Sequence, residues 1–192
     1  MAVETEVKIR WTAGADAARA LMHQHGFQIR TPRQLEVDQV YDHSNLDLWR
    51  SGQLLRLRAA GGQWVLTYKG PRHEDPDGGS IYKVREEIET GIVDGVAFQL
   101  VLERLGYQPA FRYEKYRTIF SQSDSRTMNP GIVTLDETPI GDYMELEGSG
   151  FWIEETAQKL GFVEADYITA SYAALYREYV KQHIDAPVNM TF

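Results

Sequence analysis

Near the start of a 192-residue chain, Glu4, Glu6, Lys8 and Arg10 stand at every second position, with Val3, Val7, Ile9 and Trp11 between them. In an extended strand successive side chains point to opposite faces, so this spacing sets four charges of both signs on one side and an apolar ridge on the other. The pattern recurs along the chain: Arg56 and Arg58; Lys69; Lys83, Arg85, Glu87 and Glu89; Lys115 and Arg117; Asp136; Glu145 and Glu147. Guanidinium forks and ammonium groups at that density match a polyanion, and phosphate above all. The carboxylates need a different role. Each Glu-x-Glu (4/6, 87/89, 145/147) sets two carboxylates about 6.5–7 Å apart along a strand. Beside a bound phosphate chain they would repel it unless a hard divalent cation such as Mg²⁺ or Mn²⁺ lies between. Oxygen donors and a cysteine-free chain argue against zinc.

These residues have to be positioned by strands. The alternation predicts strands over 3–11, 36–42, 53–59, 63–69, 81–90, 112–121, 131–137 and 142–148, with helices over 15–25, 94–105, 150–160 and 166–183. Gly26 stops the first helix, Asp94 is a candidate cap for the second, and Ala59–Gly62 reads as a hairpin turn. One solvated sheet face would also alternate, as antiparallel sheets commonly do. Here, however, charges occupy adjacent same-face positions in strand after strand, and the opposite faces are apolar enough to carry the helices. Closing the sheet into a barrel, with charges inward and helices outward, satisfies both and removes exposed edges. The expected class is therefore α+β, a closed antiparallel barrel around a polar tunnel.

Length and a 43% hydrophobic content fit one domain with a sizeable core, expected over 1–183 with a loosely held tail at 184–192. A weak echo suggests two halves: VETEVKIRW precedes a helix ending HGFQ, and EEIETGIVDG precedes one ending LGYQ. The net charge of −8 argues against general nucleic-acid or anionic-membrane binding. The absence of cysteine, of a signal-like opening and of any long apolar run points to a cytoplasmic protein. His23 and His25 are two apart on a helix and do not share a face, so they make poor joint ligands.

The ordered motifs resemble a known family. Glu4-x-Glu6-x-Lys8 is similar to the ExExK signature of the CYTH superfamily, the triphosphate tunnel metalloenzymes. LLRLR (54–58), LTYKGP (66–71), VREEIE (84–89), EKYRTIF (114–120), IVTLDE (132–137) and DYMELEG (142–148) follow in the same order, so the resemblance spans about residues 2–176. It implies an eight-stranded tunnel that binds a triphosphate with Mg²⁺ or Mn²⁺. Glu4, Glu6, Glu145 and Glu147 match metal-site carboxylates. Arg56, Arg58, Lys69, Arg85, Lys115 and Arg117 match phosphate-binding positions, joined here by Arg10 and Lys83. Lys8 matches the motif lysine near the reacting phosphate, so Lys8, Lys69 and Glu6 are the catalytic candidates. Glu87, Glu89 and Asp136 are further tunnel acids. Members of the family hydrolyse inorganic, nucleoside or thiamine triphosphate, or cyclise ATP as class IV adenylyl cyclases. Three readings stay open: hydrolysis, cyclisation, and non-catalytic sensing of polyphosphate or nucleotide. The ending ITASYAALY looks most like the cyclase-named subgroup. A small-molecule triphosphate is the expected partner, and a homodimer is left open. Hydrolytic relatives can pair a tyrosine with the residue equivalent to Lys69. Tyr41 would serve only if the Asp42 side faced outward; with that side inward the pair is missing, which counts against a thiamine triphosphatase-like mechanism. Tyr172 is a candidate for one tunnel mouth, and residues 70–79 for a lid.

Overall fold

The computed structural model describes residues 2–72, 81–122 and 131–192. Of the expected lid, residues 73–79 lie outside that set. Strands β1 (Ala2–Trp11), β2 (Gln28–Asp42), β3 (Leu54–Ala60) and β4 (Gln63–Arg72) are followed by β5 (Lys83–Ile92), β6 (Gln108–Ser121), β7 (Ile132–Thr138) and β8 (Gly141–Glu147). Their order is β5-β4-β3-β2-β6-β7-β8-β1, and β1 also pairs with β5, so the eight strands close on themselves as an antiparallel barrel. A two-residue strand, β9 (Tyr167–Ile168), adds to β1 at Lys8 and Ile9. The succession strand–helix–strand–hairpin is run twice, and the matching strands pair with one another, β1 with β5 and β2 with β6.

The helices lie outside. Val7 and Ile9 on β1, Leu135 on β7, and Met144 and Leu146 on β8 form one core with Ala18 and Met22 of α1 (Ala15–Gln24) and Ile153 and Ala157 of α4 (Gly150–Lys159). Asp47–Arg50 forms one turn, α2, absent from the sequence expectation. The Asp42 carboxylate fixes it by accepting from the backbone N–H groups of Leu48 and Trp49. Helix α3 (Gly95–Arg104), capped by Asp94 onto the Ala97 N–H, packs Leu102 against Tyr41 and Leu57. The β3–β4 turn puts Gly61 and Gly62 at φ 55° and 77°, the left-handed pair that a tight two-residue hairpin requires.

Three sequence expectations are corrected. The helix expected over 166–183 is α5 (Tyr172–Gln182) alone, because Ser171 caps it through the Ala174 N–H and the preceding residues form β9. The tail is docked rather than loose: Met190 is fully buried, exchanges backbone hydrogen bonds with β6 at Arg112 and Glu114, and is flanked by Asn189 and Pro187 oxygens that accept from the Tyr176 hydroxyl. Val3, expected beneath a helix, is 61% exposed because α1 and α4 cover β1 only from Val7 onward. Among the described residues, no helix is long and apolar enough to cross a membrane.

Candidate functional site

The charged faces meet in the barrel interior, around a cavity of about 270 Å³. Of the residues singled out from the sequence, Glu4, Glu6, Lys8, Arg56, Arg58, Lys69, Lys83, Arg85, Glu87, Glu89, Lys115, Arg117, Glu145 and Glu147 line it. Two do not. Arg10 shares their face but sits where β1 leaves the lumen; its guanidinium donates to the Tyr143 hydroxyl at 3.0 Å and to the Ile140 carbonyl. Asp136 is fully buried behind the lining, where it accepts from Lys115 at 2.9 Å, from Arg117 at 2.6 and 2.5 Å, and from the Tyr172 hydroxyl at 2.6 Å.

Two acids absent from the sequence candidates do the same work. Glu36, which lies 3.1 Å from Arg58, faces Lys115 and Arg117 as well. The fully buried Asp38 lies 2.8 Å from Arg58 and 3.3 Å from Arg56. Burial alone would raise both carboxyls, but the surrounding cations outweigh it and hold both below their ordinary values. The signal was present as the alternation of Glu36, Asp38 and Asp42 along β2. The same register turns Tyr41 outward into the core beneath α3, so it does not pair with Lys69.

The lumen is wired by ion pairs. Lys8 contacts Glu145, Arg117 contacts Glu145, and Lys83 contacts Glu6. Lys69 bridges Glu4 at 2.5 Å and Glu87 at 3.0 Å. Arg56 reaches Tyr113 and Thr67, and the Thr67 hydroxyl donates to Glu89 at 2.7 Å. Burial opposes ionisation of Glu6, yet Lys83 and the other lysines hold its carboxyl at about 2. Burial lowers Lys83 to about 8 despite Glu6, with Arg85, Lys8 and Lys69 adding to the effect. Burial, with the neighbouring cations, moves the base down, and the same cations move the acid down.

Glu147 is the exception. Register sets it directly opposite Glu6 across the β1–β8 ladder. Burial, with the nearby carboxylates of Glu4 and Glu6, pushes its carboxyl up to about 7, and among the described residues it has no ion-pair partner. A half-buried acid crowded by two others is a donor set that a hard divalent cation would neutralise, which makes Glu4, Glu6 and Glu147 the candidates to hold one. Glu145, grouped with them on the sequence, is already engaged by Lys8 and Arg117 and held well below the carboxylate range. Among the described residues, no three carboxylates or imidazoles are gathered at ligating separation. A cation would therefore compete with Lys69 and Lys83 for Glu4 and Glu6.

The CYTH domain family matches residues 2–172. A Methanocaldococcus jannaschii protein, provisionally named an adenylate cyclase, is 26% identical over 148 residues, which are 77% of this chain and 77% of that protein. A Vibrio parahaemolyticus structure, also provisionally named an adenylate cyclase, superposes with TM-score 0.72 at 22% identity and covers 91% of this chain and 97% of its own. A Hippeastrum structure, described as an adenylyl cyclase by provisional name that reveals a dominant triphosphatase activity, gives TM-score 0.61 at 18% identity and covers 93% and 96%. At these identities the two structures establish the fold alone.

Proposed function

The chain belongs to the CYTH domain family, and on that footing we propose that it is a divalent-cation-dependent enzyme that hydrolyses a triphosphate held in its tunnel. The observation that carries this reading is the pairing of a cation-lined lumen with Glu147, a half-buried carboxylate beside Glu6 that has no ion-pair partner among the described residues. Mere binding of polyphosphate would call for the basic residues and leave that crowded acid without a purpose.

Arg56, Arg58, Lys69, Arg85, Lys115 and Arg117 bind and orient the phosphoryl oxygens. Their positions are fixed beforehand, so little reorganisation remains for the moment of reaction. Lys8, on the same wall as Glu6, neutralises charge that develops on the phosphoryl group in flight. Glu4, Glu6 and Glu147 would hold Mg²⁺ or Mn²⁺, which would offset phosphate charge and lower the pKa of water. Tyr172 contributes a neutral hydroxyl, because burial, Asp136 and Glu145 all raise its pKa well above the ordinary value.

A second reading, cyclisation of ATP with loss of pyrophosphate, is favoured by the name of the M. jannaschii relative. Incubation with Mg²⁺ or Mn²⁺ and either tripolyphosphate or ATP separates the two. Orthophosphate from tripolyphosphate supports hydrolysis, and cyclic AMP with pyrophosphate from ATP supports cyclisation. Tight binding with turnover of neither would refute both in favour of a sensor.

A further inference from the structure

A second cavity lies apart from the tunnel. Its volume is about 510 Å³, within the roughly 300–1,000 Å³ of small-molecule sites, and none of its lining residues borders the lumen cavity. Phe111 of β6 and Tyr176 of α5, their rings 5.8 Å apart, supply aromatic walls. The Tyr176 hydroxyl donates to the Pro187 carbonyl at 2.6 Å and so fixes the C-terminal segment as one rim. Leu46 and Trp49 form another part of the rim, and they are held there under strain. Among the described residues Leu46 is the only non-glycine residue with a positive φ, at 58°, a left-handed conformation that costs an L side chain free energy. The Asp42 carboxylate fixes the turn that follows by accepting from the backbone N–H groups of His43, Leu48 and Trp49. The outcome is a Trp49 that is 54% exposed and a Leu46 that is 41% exposed, both bordering the cavity.

One cation borders this apolar surface. The Arg177 guanidinium lies 5.0 Å from the centroid of the Trp49 ring. Among the described residues it has no ion-pair partner: Asp42 is engaged by backbone N–H groups, and Glu178 is paired with Lys181 at 2.7 Å. A guanidinium that lies over an indole still presents its N–H edge to a planar anion. We propose that this cavity is a binding site for a small aromatic carboxylic acid. The carboxylate takes the Arg177 fork, and the ring system lies among Trp49, Phe111 and Tyr176. A carboxylate matches the fork in shape and carries the single charge that one guanidinium answers. An inorganic phosphate would gain nothing from the apolar walls, and a neutral arene would leave the guanidinium unanswered. The walls are fixed before any ligand arrives, so little ordering is left for binding.

The probe is 2-naphthoate, with 2-naphthamide as its neutral counterpart. Binding to the full chain is measured by calorimetry without phosphate or divalent cation, so the result is independent of the triphosphate reading. The expected outcome is one site for the acid with a Kd of about 1 mM or tighter. The amide should bind at least about 10-fold more weakly, as loss of a charged hydrogen-bonding partner predicts. Arg177→Gln should weaken the acid roughly 10- to 100-fold, and Arg177→Lys, which keeps the charge without the fork, should fall between. Ala110→Trp, which fills the cavity from β6, should abolish binding. Arg177 and Ala110 are exposed, so both variants should unfold at the wild-type temperature, which a thermal scan checks. Failure of the wild type to bind the acid overturns the proposal, as does equal affinity for acid and amide. Binding that Arg177→Gln leaves unchanged would place the acid elsewhere, in the basic lumen, and overturns it too. So would sedimentation showing a dimer that Trp49→Ala dissociates, because a second copy would then cover the cavity.

Discussion

Replacing Glu147 by Gln tests the reasoning about the acidic corner without any substrate. The carboxyl is displaced from 4.5 to about 7 by burial and by Glu4 and Glu6. In the unfolded chain it ionises freely, so folding holds its proton more tightly than unfolding does. The resulting penalty is absent below the unfolded value, grows as pH rises from 4.5, and is complete above about 7. A displacement of that size corresponds to about 3 kcal/mol at pH 8. Glutamine keeps the shape and removes the charge. In EDTA at pH 8 the variant should therefore unfold at a higher temperature than the wild type, by roughly 5–10 °C for a chain of this length. At pH 4.5 the gain should vanish, because the wild-type group is then protonated in the folded protein. Adding Mg²⁺ or Mn²⁺ should reverse the order: the wild type gains stability through binding, and the variant, lacking one donor, gains far less. Scanning calorimetry over pH 4.5–8.5, with and without the cation, checks both halves. A variant that is destabilised at pH 8 in EDTA, or one that gains as much from the cation as the wild type, would refute the assignment of Glu147 to a crowded cation site.

Other parts of the tunnel give separate outcomes. Lys69→Ala removes a charged donor to phosphate, worth about 1.5–3 kcal/mol, so the Kd for tripolyphosphate measured by calorimetry should rise roughly 10- to 100-fold; an unchanged Kd would remove Lys69 from the binding set. Asp136→Asn breaks a fully buried acceptor shared by Lys115, Arg117 and Tyr172. It should cost about 3–5 kcal/mol in denaturant unfolding, whereas Glu155→Ala, at an exposed pair with Lys159, should stay within about 0.5 kcal/mol. Met190→Ala should cost about 2–5 kcal/mol by the same measurement; a neutral result would mean that the C-terminal segment does not pack as described.

The strands and their inward faces were legible because period-two alternation is a local signal, and Glu4, Glu6, Lys8, Lys83, Arg85, Lys115 and Arg117 all lie on the face that it picks out. The structure separates them by criteria that spacing does not contain. Arg10 obeys the alternation and leaves the lumen because β1 outlasts it. Glu145 and Glu147 are two residues apart on one strand, yet one is paired with Lys8 and Arg117 while the other is crowded by Glu4 and Glu6 and has no ion pair among the described residues. That difference is set by β1 and β6, more than a hundred residues and about thirty residues away in the chain, and no local pattern reports it. Tyr41 and Asp38 were ambiguous for the opposite reason: a register slip by one residue exchanges the faces of β2 completely, and only its pairing with β3 and β6 decides between them. The tail was misjudged because a short segment rich in loop formers gives no sign of the hydrogen bonds it makes to β6.

The lumen acids thereby fall into two kinds with different chemistry. Glu36, Asp38 and Asp136 are at most 3% exposed, and each meets at least two cationic side chains. They hold Arg56, Arg58, Lys115 and Arg117 in place before any ligand arrives. A long flexible side chain loses up to about 2 kcal/mol of rotamer entropy when it is ordered. These pairings meet that cost during folding, so it is not charged against binding. Glu4, Glu6 and Glu147 are not needed for that purpose, since Lys69 and Lys83 already pair the first two and, among the described residues, no cation pairs the third. Their burial leaves a local excess of negative charge at the wall where Lys8 also sits. An anion entering alone would be drawn to the basic walls and repelled from this one. Triphosphate and cation together satisfy both, which makes dependence on a divalent metal a consequence of how the acids are divided.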